Sequence, residues 1–196
     1  GKTHLMQAIG NKILQDYSRT ASADLLLDKA VQTNCKSELA LLKGVRCIFL
    51  TELDPNQKLK MSMIKNMTGG NEVVACFKYK NEFTYHPKYK IMLATNHMPH
   101  INEDDNGSWR RVKKIDHLRV FSKDEQDKRL INKLYEERGA ILNELFRRCP
   151  AILRDGLKAP NCVDVAVKNF RSNEDILSKW LEENTTETIE GAPASI

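Results

Sequence analysis

The sequence has no apolar run that approaches the roughly 20 residues a membrane-spanning helix requires; runs such as Cys47 to Leu50 end after a handful of residues. No apolar stretch near the N-terminus reads as a signal peptide. The five cysteines (Cys35, Cys47, Cys76, Cys149 and Cys162) are scattered, odd in number and contain no C-x-x-C pair. That argues against a disulfide framework or a cysteine-rich zinc site, and it fits a reducing, intracellular compartment. Internal repeats and true low-complexity tracts are also missing. The first residues are Gly1-Lys2-Thr3, without an initiator methionine. Membrane and secreted classes are set aside on these grounds.

What is present suits one packed domain with a small appendage. The chain has 196 residues, of which 41% are hydrophobic and 29% charged. The net charge of +5 is unevenly spread. From Lys58 to Lys90 there are seven lysines against Glu72 and Glu82, whereas Ser172 to Ile196 holds six acids against Lys179. A basic middle is compatible with nucleic acid, because lysines gain affinity by releasing counterions from phosphates. A solvated face would show the same composition.

Leu5, Met6, Ile9, Ile13 and Leu14 fall on one face at a 3.6-residue period and predict a helix opening directly after Gly1-Lys2-Thr3. That junction resembles the back half of a Walker A loop, in which backbone amides and a helix N-terminus cradle phosphates. Arg19 to Asp28 reads as a connector and Asp28 to Leu42 as a helix. Val45 to Leu50 and Tyr89 to Asn96 read as buried strands, apolar on both alternations as parallel strands covered on both faces are. Met61 to Met67 predicts a helix closed by Gly69-Gly70. Glu72 to Tyr79 and Phe83 to His86 predict a hairpin turning at Lys80-Asn81-Glu82. On a strand, Lys78 and Lys80 would share a face with Cys76, opposite Phe77 and Tyr79. Val112 to Val120 alternates loosely and is read as a strand. Lys123 to Arg148 is helical with a break at Gly139, Pro150 and Pro160 bound a further short helix, and Val163 to Arg171 and Glu174 to Glu183 are amphipathic helices. Strands alternating with helices predict an α/β fold with a mostly parallel sheet.

In such a sheet, ligands collect beyond the carboxyl ends of the strands, which would bring Lys2, Glu52 and Asn96 together. A phosphate cation, an acid that orients water, a polar sensor and an arginine (Arg110 or Arg111) are the parts that phosphoryl transfer to water needs. Taken singly, each has a structural alternative: Glu52 as a helix cap, Asn96 in the turn before Pro99, Arg110 in a surface ion pair. Asp54 is a turn residue before Pro55. His97 and His100 flank Pro99 in a loop, a poor frame for a metal pair.

Phe49-Leu50-Thr51-Glu52, Ile64 to Asn71, Leu93-Ala94-Thr95-Asn96-His97-Met98-Pro99 and Trp109-Arg110-Arg111 occur in one order. This text resembles the superfamily 3 helicase domain of phage and plasmid primase–helicases, which has relatives in poxviruses and other large DNA viruses. The resemblance covers roughly residues 1 to 170. It implies a P-loop NTPase (AAA+-like) core with a β-hairpin insertion, followed by a small all-helical C-terminal subdomain. It also implies that a first strand and glycine loop precede Gly1.

By that resemblance Gly1, Lys2 and Thr3 bind the phosphates of ATP, with Thr3 and Glu52 serving Mg²⁺. Glu52 is the Walker B acid, although Thr51 stands where many such motifs carry a second acid. Asn96 is sensor 1, and Arg110 or Arg111 is an arginine finger acting on a neighbouring subunit. If the pair extended a strand only one could serve, and Arg111 is favoured, with Arg110 left for a contact inside its own subunit. Lys78 and Lys80 form the basic tip of a hairpin that tracks single-stranded DNA inside a homo-oligomeric ring, a hexamer, with a primase domain upstream. The expected divisions are 1–121 for the ATPase core, 122–184 for the helical subdomain and 185–196 for a flexible tail. The implied function is an ATP-driven helicase motor in viral, phage or plasmid DNA replication, in the host cytoplasm or at a viral replication site. The rival is a nucleic-acid-binding or interaction module that keeps the fold without hydrolysis.

Overall fold

The computed structural model describes residues 2–28, 35–102, 105–175, 180, 184 and 185. Gly1, most of the expected 174–183 helix and the tail beyond Thr185 therefore lie outside the described residues. Contacts divide the chain into two units, 1–101 with 117–158, and 102–116 with 159–196.

The first unit is α/β. Its sheet holds three parallel strands in the order β1 (Ser18–Ser22), β2 (Cys47–Thr51) and β5 (Lys90–Ala94). The central strand β2 is buried from Cys47 to Leu50 on both alternations, as its unbroken apolar text predicts. Ile48 and Leu50 are fully buried, in a cluster with Leu25, Leu42, Met67, Val73 and Ala75. Strand β1 corrects the sequence reading, which has a connector there. Its text, Ser-Arg-Thr-Ala-Ser, carries no apolar signal, and it is a strand because every residue pairs with β2, from Ser18 opposite Cys47 to Ser22 opposite Thr51.

Helix α1 (Lys2–Gln7) starts where the periodicity places it and continues as π-helical turns over Ala8–Leu14. These turns lie against β2 so closely that a Cβ at Gly10 would sit 2.7 Å from Phe49 Cε2. Gly10→Ala gains at most about 1 kcal/mol of helix propensity, but overpacking a buried ring costs typically 1–3 kcal/mol. The expected result is a net loss near 1 kcal/mol, read as a lower Tm. A raised Tm would show that the turn has room.

Helix α2 (Cys35–Ala40) keeps the C-terminal part of the helix expected over 28–42; residues 29–34 lie outside the described set. Helix α3 (Met61–Thr68) matches its expected span and buries Met61 and Met67. The hairpin pairs β3 (Val73–Cys76) with β4 (Glu82–Tyr85), antiparallel, with Val73 opposite Tyr85. Its turn is at Phe77 to Lys80 rather than Lys80 to Glu82, because the Lys80 amide donates to the Phe77 carbonyl at 2.9 Å. Strand alternation therefore stops at Cys76, and the expected sorting of lysines and aromatics onto opposite faces does not continue into the turn.

Helices α5 (Leu130–Glu136) and α6 (Arg138–Asp155) belong to the first unit. The break between them falls at Glu137, not Gly139, and α6 runs through Pro150, which was expected to bound a helix. Tyr135 receives two cations over its ring, Lys12 at 5.2 Å and Arg138 at 4.3 Å. The alternating stretch 112–120 forms no strand, and Ile115, Leu118 and Val120 are exposed. Alternation only permits a strand; pairing with a neighbour makes one, and β5 stands at the edge of its sheet. No described helix is long and apolar enough to cross a membrane.

The second unit is built on α4 (Asn106–Trp109) and α7 (Asn161–Glu174). Trp109 meets Phe170 edge to face with ring centroids 5.3 Å apart. Arg171 ties the two helices by donating to Asn106 Oδ1 at 2.9 Å.

Candidate functional site

Parallel pairing puts the ends of β2 and β5 side by side, with Thr51 opposite Ala94. The Glu52 amide extends the ladder by donating to the Ala94 carbonyl at 3.2 Å. Glu52 and Asn96 therefore follow the carboxyl ends of adjacent strands, and both are exposed. The turn that carries Asn96 is shaped by Thr95, whose Oγ1 donates to the His97 carbonyl at 2.7 Å and accepts from the His97 amide at 3.0 Å. Such hydroxyl-to-backbone turns are the familiar use of threonine after a strand. The sequence signal for it is Thr-Asn-His directly after an apolar run.

Lys2 reaches this corner from the first residue of α1. Its Nζ donates to Asn96 Oδ1 at 3.0 Å, across 94 residues of sequence. An ammonium only donates, so the amide oxygen of Asn96 must be the atom facing it, which leaves the Asn96 NH₂ as a donor directed elsewhere. An ammonium and an amide donor held at one point suit an anionic oxygen. Thr3 lies on the same first turn of α1 and is exposed, with its hydroxyl one residue beyond Lys2.

Glu52 has φ +63°, a left-handed conformation. For a residue with a Cβ this costs of the order of 1 kcal/mol or more, and such positions cluster at working sites. Asp54 accepts from Gln57 Nε2 at 3.3 Å, in keeping with a turn residue.

Arg110 and Arg111 end a helical turn instead of extending a strand. Asp105 caps α4, accepting from the Ser108 amide at 2.8 Å and from Ser108 Oγ at 3.0 Å, and Ser108 is fully buried. Trp109 is buried against Phe170. The Arg111 guanidinium donates to the Gly107 carbonyl inside its own unit. Arg110, held between two anchored neighbours, is exposed. The order favoured from sequence, Arg111 outward and Arg110 inward, is thus the reverse of this geometry.

Lys78 and Lys80 are both exposed in the hairpin turn. Lys78 Nζ lies 5.1 Å from the ring centroid of Tyr79. Tyr85, at the end of β4, is buried, and its hydroxyl donates to the Leu39 carbonyl at 2.7 Å. Tyr85 is therefore structural.

An α/β protein with a lysine bonded to an asparagine beyond one strand end, and an exposed glutamate following the adjacent strand, is the class this geometry defines. The chain belongs to DUF5906, a family of unknown function, whose match spans residues 1–111. That span includes every residue singled out above as a candidate, from Gly1 to Arg111.

Two relatives come from large DNA viruses. One, from Acanthamoeba polyphaga mimivirus and named "Putative helicase L207/L206", is 33% identical over 124 residues, 63% of this chain and 13% of the relative. The other, from Invertebrate iridescent virus 6 and named "Putative helicase 184R", is 30% identical over 77 residues, 37% of this chain and 8% of the relative. The matches thus span about a tenth of each relative's length. The chain is related to viral proteins that carry helicase names.

Proposed function

We propose that the chain is part of an ATP-hydrolysing helicase motor, a P-loop core that acts on single-stranded DNA. The observation that carries the reading is the Lys2–Asn96 contact at 3.0 Å, which joins the start of α1 to the end of β5 beside Glu52. Helicase names on the two relatives support it.

In this reading Lys2 binds the β- and γ-phosphates of ATP, and the outward NH₂ of Asn96 donates to the γ-phosphate. Glu52 accepts a hydrogen bond from the attacking water and orients it in line. Thr3 and Glu52 are the residues that would hold Mg²⁺, directly or through its waters, since this ion retains several. When bound, that ion neutralises phosphate charge. Arg110 is the finger offered to a neighbouring subunit, which requires a head-to-tail contact that closes into a ring. Its exposed side chain between two fixed neighbours fits that task, while Arg111 fixes the turn.

Lys78 and Lys80 place two cations on the hairpin turn for the strand's phosphates. Replacing both with alanine should weaken single-stranded DNA binding equally across sequences. It should also flatten the log–log salt slope by about 1.4, at roughly 0.7 per lost phosphate contact. ATP turnover without DNA should persist. An unchanged slope would return both lysines to a solvated face.

A further inference from the structure

Beside the hairpin lies an open groove of about 610 Å³ between α2 and β3, lined in part by Lys36, Leu39, Val74, Phe77 and Tyr79. Its walls are braced. Lys36 on α2 pairs with Glu82 on β4, and Phe77 stacks on Phe83 with centroids 5.6 Å apart. Phe83 in turn lies 6.3 Å from Tyr85, which is anchored to the Leu39 carbonyl. At the near end of the turn, Cys76 Sγ donates to the Lys80 carbonyl at 2.8 Å. One aromatic stands apart from this ladder. Tyr79 is 93% exposed, at the mouth of the groove.

Tyr79 is locally the wrong residue twice over. The Phe77–Lys80 turn has a positive φ only at its third residue, Tyr79 at +62°, the pattern of a type II turn. Glycine or asparagine occupies that position without strain, whereas an aromatic side chain does not. A ring held almost wholly in water recovers none of that cost by burial. The turn needs the left-handed conformation but not an aromatic residue in it, and such strained side chains cluster at working sites.

We infer that Tyr79 is a stacking platform for a nucleobase of single-stranded nucleic acid, with the base seated at the groove mouth against the half-exposed edge of Phe77 and the flanking phosphates on Lys78 and Lys80. The occupant follows from the chemistry. An exposed ring with Lys78 Nζ over it at 5.1 Å from the centroid and Lys80 next in sequence suits a ligand that is aromatic and anionic at alternate points along its length, the base taking the ring face opposite Lys78. Among the described residues, Glu82 is paired with Lys36, and Lys78 and Lys80 stand exposed at the turn. Stacking is indifferent to base identity, so the site grips any sequence. The inference rests on the proposed action on single-stranded DNA and adds to it a contact that reads bases as well as phosphates.

The test compares, for the full chain, the affinity for oligo-dT with that for an abasic deoxyribose-phosphate strand of the same length. The wild type should prefer the base-bearing strand by about tenfold, the size of one stacking contact. Tyr79→Asn should remove most of that preference and leave abasic binding unchanged, while Tyr79→Trp should retain it. Because asparagine accepts the left-handed turn, Tyr79→Asn should melt no lower than the wild type, which separates a binding role from a structural one. Equal preference in wild type and Tyr79→Asn would overturn the stacking assignment while leaving the DNA-binding reading intact. Failure of the wild type to bind either strand would overturn both.

Discussion

Glu52→Gln should cut ATP turnover by the full-length protein about 10²-fold or more, the usual worth of a positioned acid–base group, while nucleotide affinity stays within a few-fold. Glutamine keeps the length and polarity of the side chain and leaves the backbone bond from residue 52 to the Ala94 carbonyl in place. It removes only the negative charge that accepts and orients the water. The same substitution should not lower the Tm, because the left-handed backbone at this position is equally strained with either side chain. Single-turnover hydrolysis together with equilibrium nucleotide binding separates the two effects. Turnover at a tenth of the wild-type rate or better would remove Glu52 from the chemistry.

Arg110→Ala should be at least as damaging, by about 10³-fold, if the guanidinium acts in a neighbour's site. Arg111→Ala offers the internal comparison. It deletes the bond to the Gly107 carbonyl and should loosen the α4 turn, which would appear as a lower Tm with a far smaller loss of rate. Action in trans has a sharper signature. Arg110→Ala subunits retain Lys2, and Lys2→Ala subunits retain Arg110, so rings mixed from the two inactive variants should recover part of the activity. Mixtures that stay inactive at every ratio would rule out the shared site.

The parts of the fold that the sequence announced are those whose apolar residues decide their own burial. β2, α3 and the hairpin strands are of this kind, with Ile48, Leu50, Met67 and Val73 fully or almost fully buried. β5 forms where expected but is not covered on both faces: Lys90 and Met92 are exposed, Ile91 and Leu93 are partly buried, and of its residues Ala94 alone is buried, as suits a strand at the edge of the sheet. β1 was illegible because Ser18 to Ser22 are held by pairing with β2 and not by burial of large side chains. The stretch 112–120 misled in the opposite direction: its alternation is real, but Leu118 and Val120 remain exposed without a paired strand. Pro150 reads as a boundary in the sequence, yet α6 continues past it to Asp155.

The candidate site divides along the same line. Glu52 and Asn96 were legible as residues following predicted strands, and Lys2 as the start of a predicted helix. That they could converge followed from reading a parallel sheet, whose strand ends collect ligands; the particular Lys2–Asn96 bond did not, because it spans 94 positions and depends on the sheet order. The choice between Arg110 and Arg111 depended on recognising a helical turn closed by Asp105, where strand alternation gave the opposite answer. Tyr79 was visible only as an aromatic near lysines, since its exposure and positive φ are properties of the folded turn.

The most direct measurement of the account is ATP hydrolysis by the full-length protein, with and without single-stranded DNA, in wild type and Lys2→Ala. The account predicts turnover in the wild type that rises with DNA. In Lys2→Ala it predicts turnover near background together with weakened nucleotide binding, because the phosphate cation at the Asn96 corner is gone. Hydrolysis in Lys2→Ala that matches the wild type would contradict the account, as would a wild type that neither binds nor hydrolyses ATP.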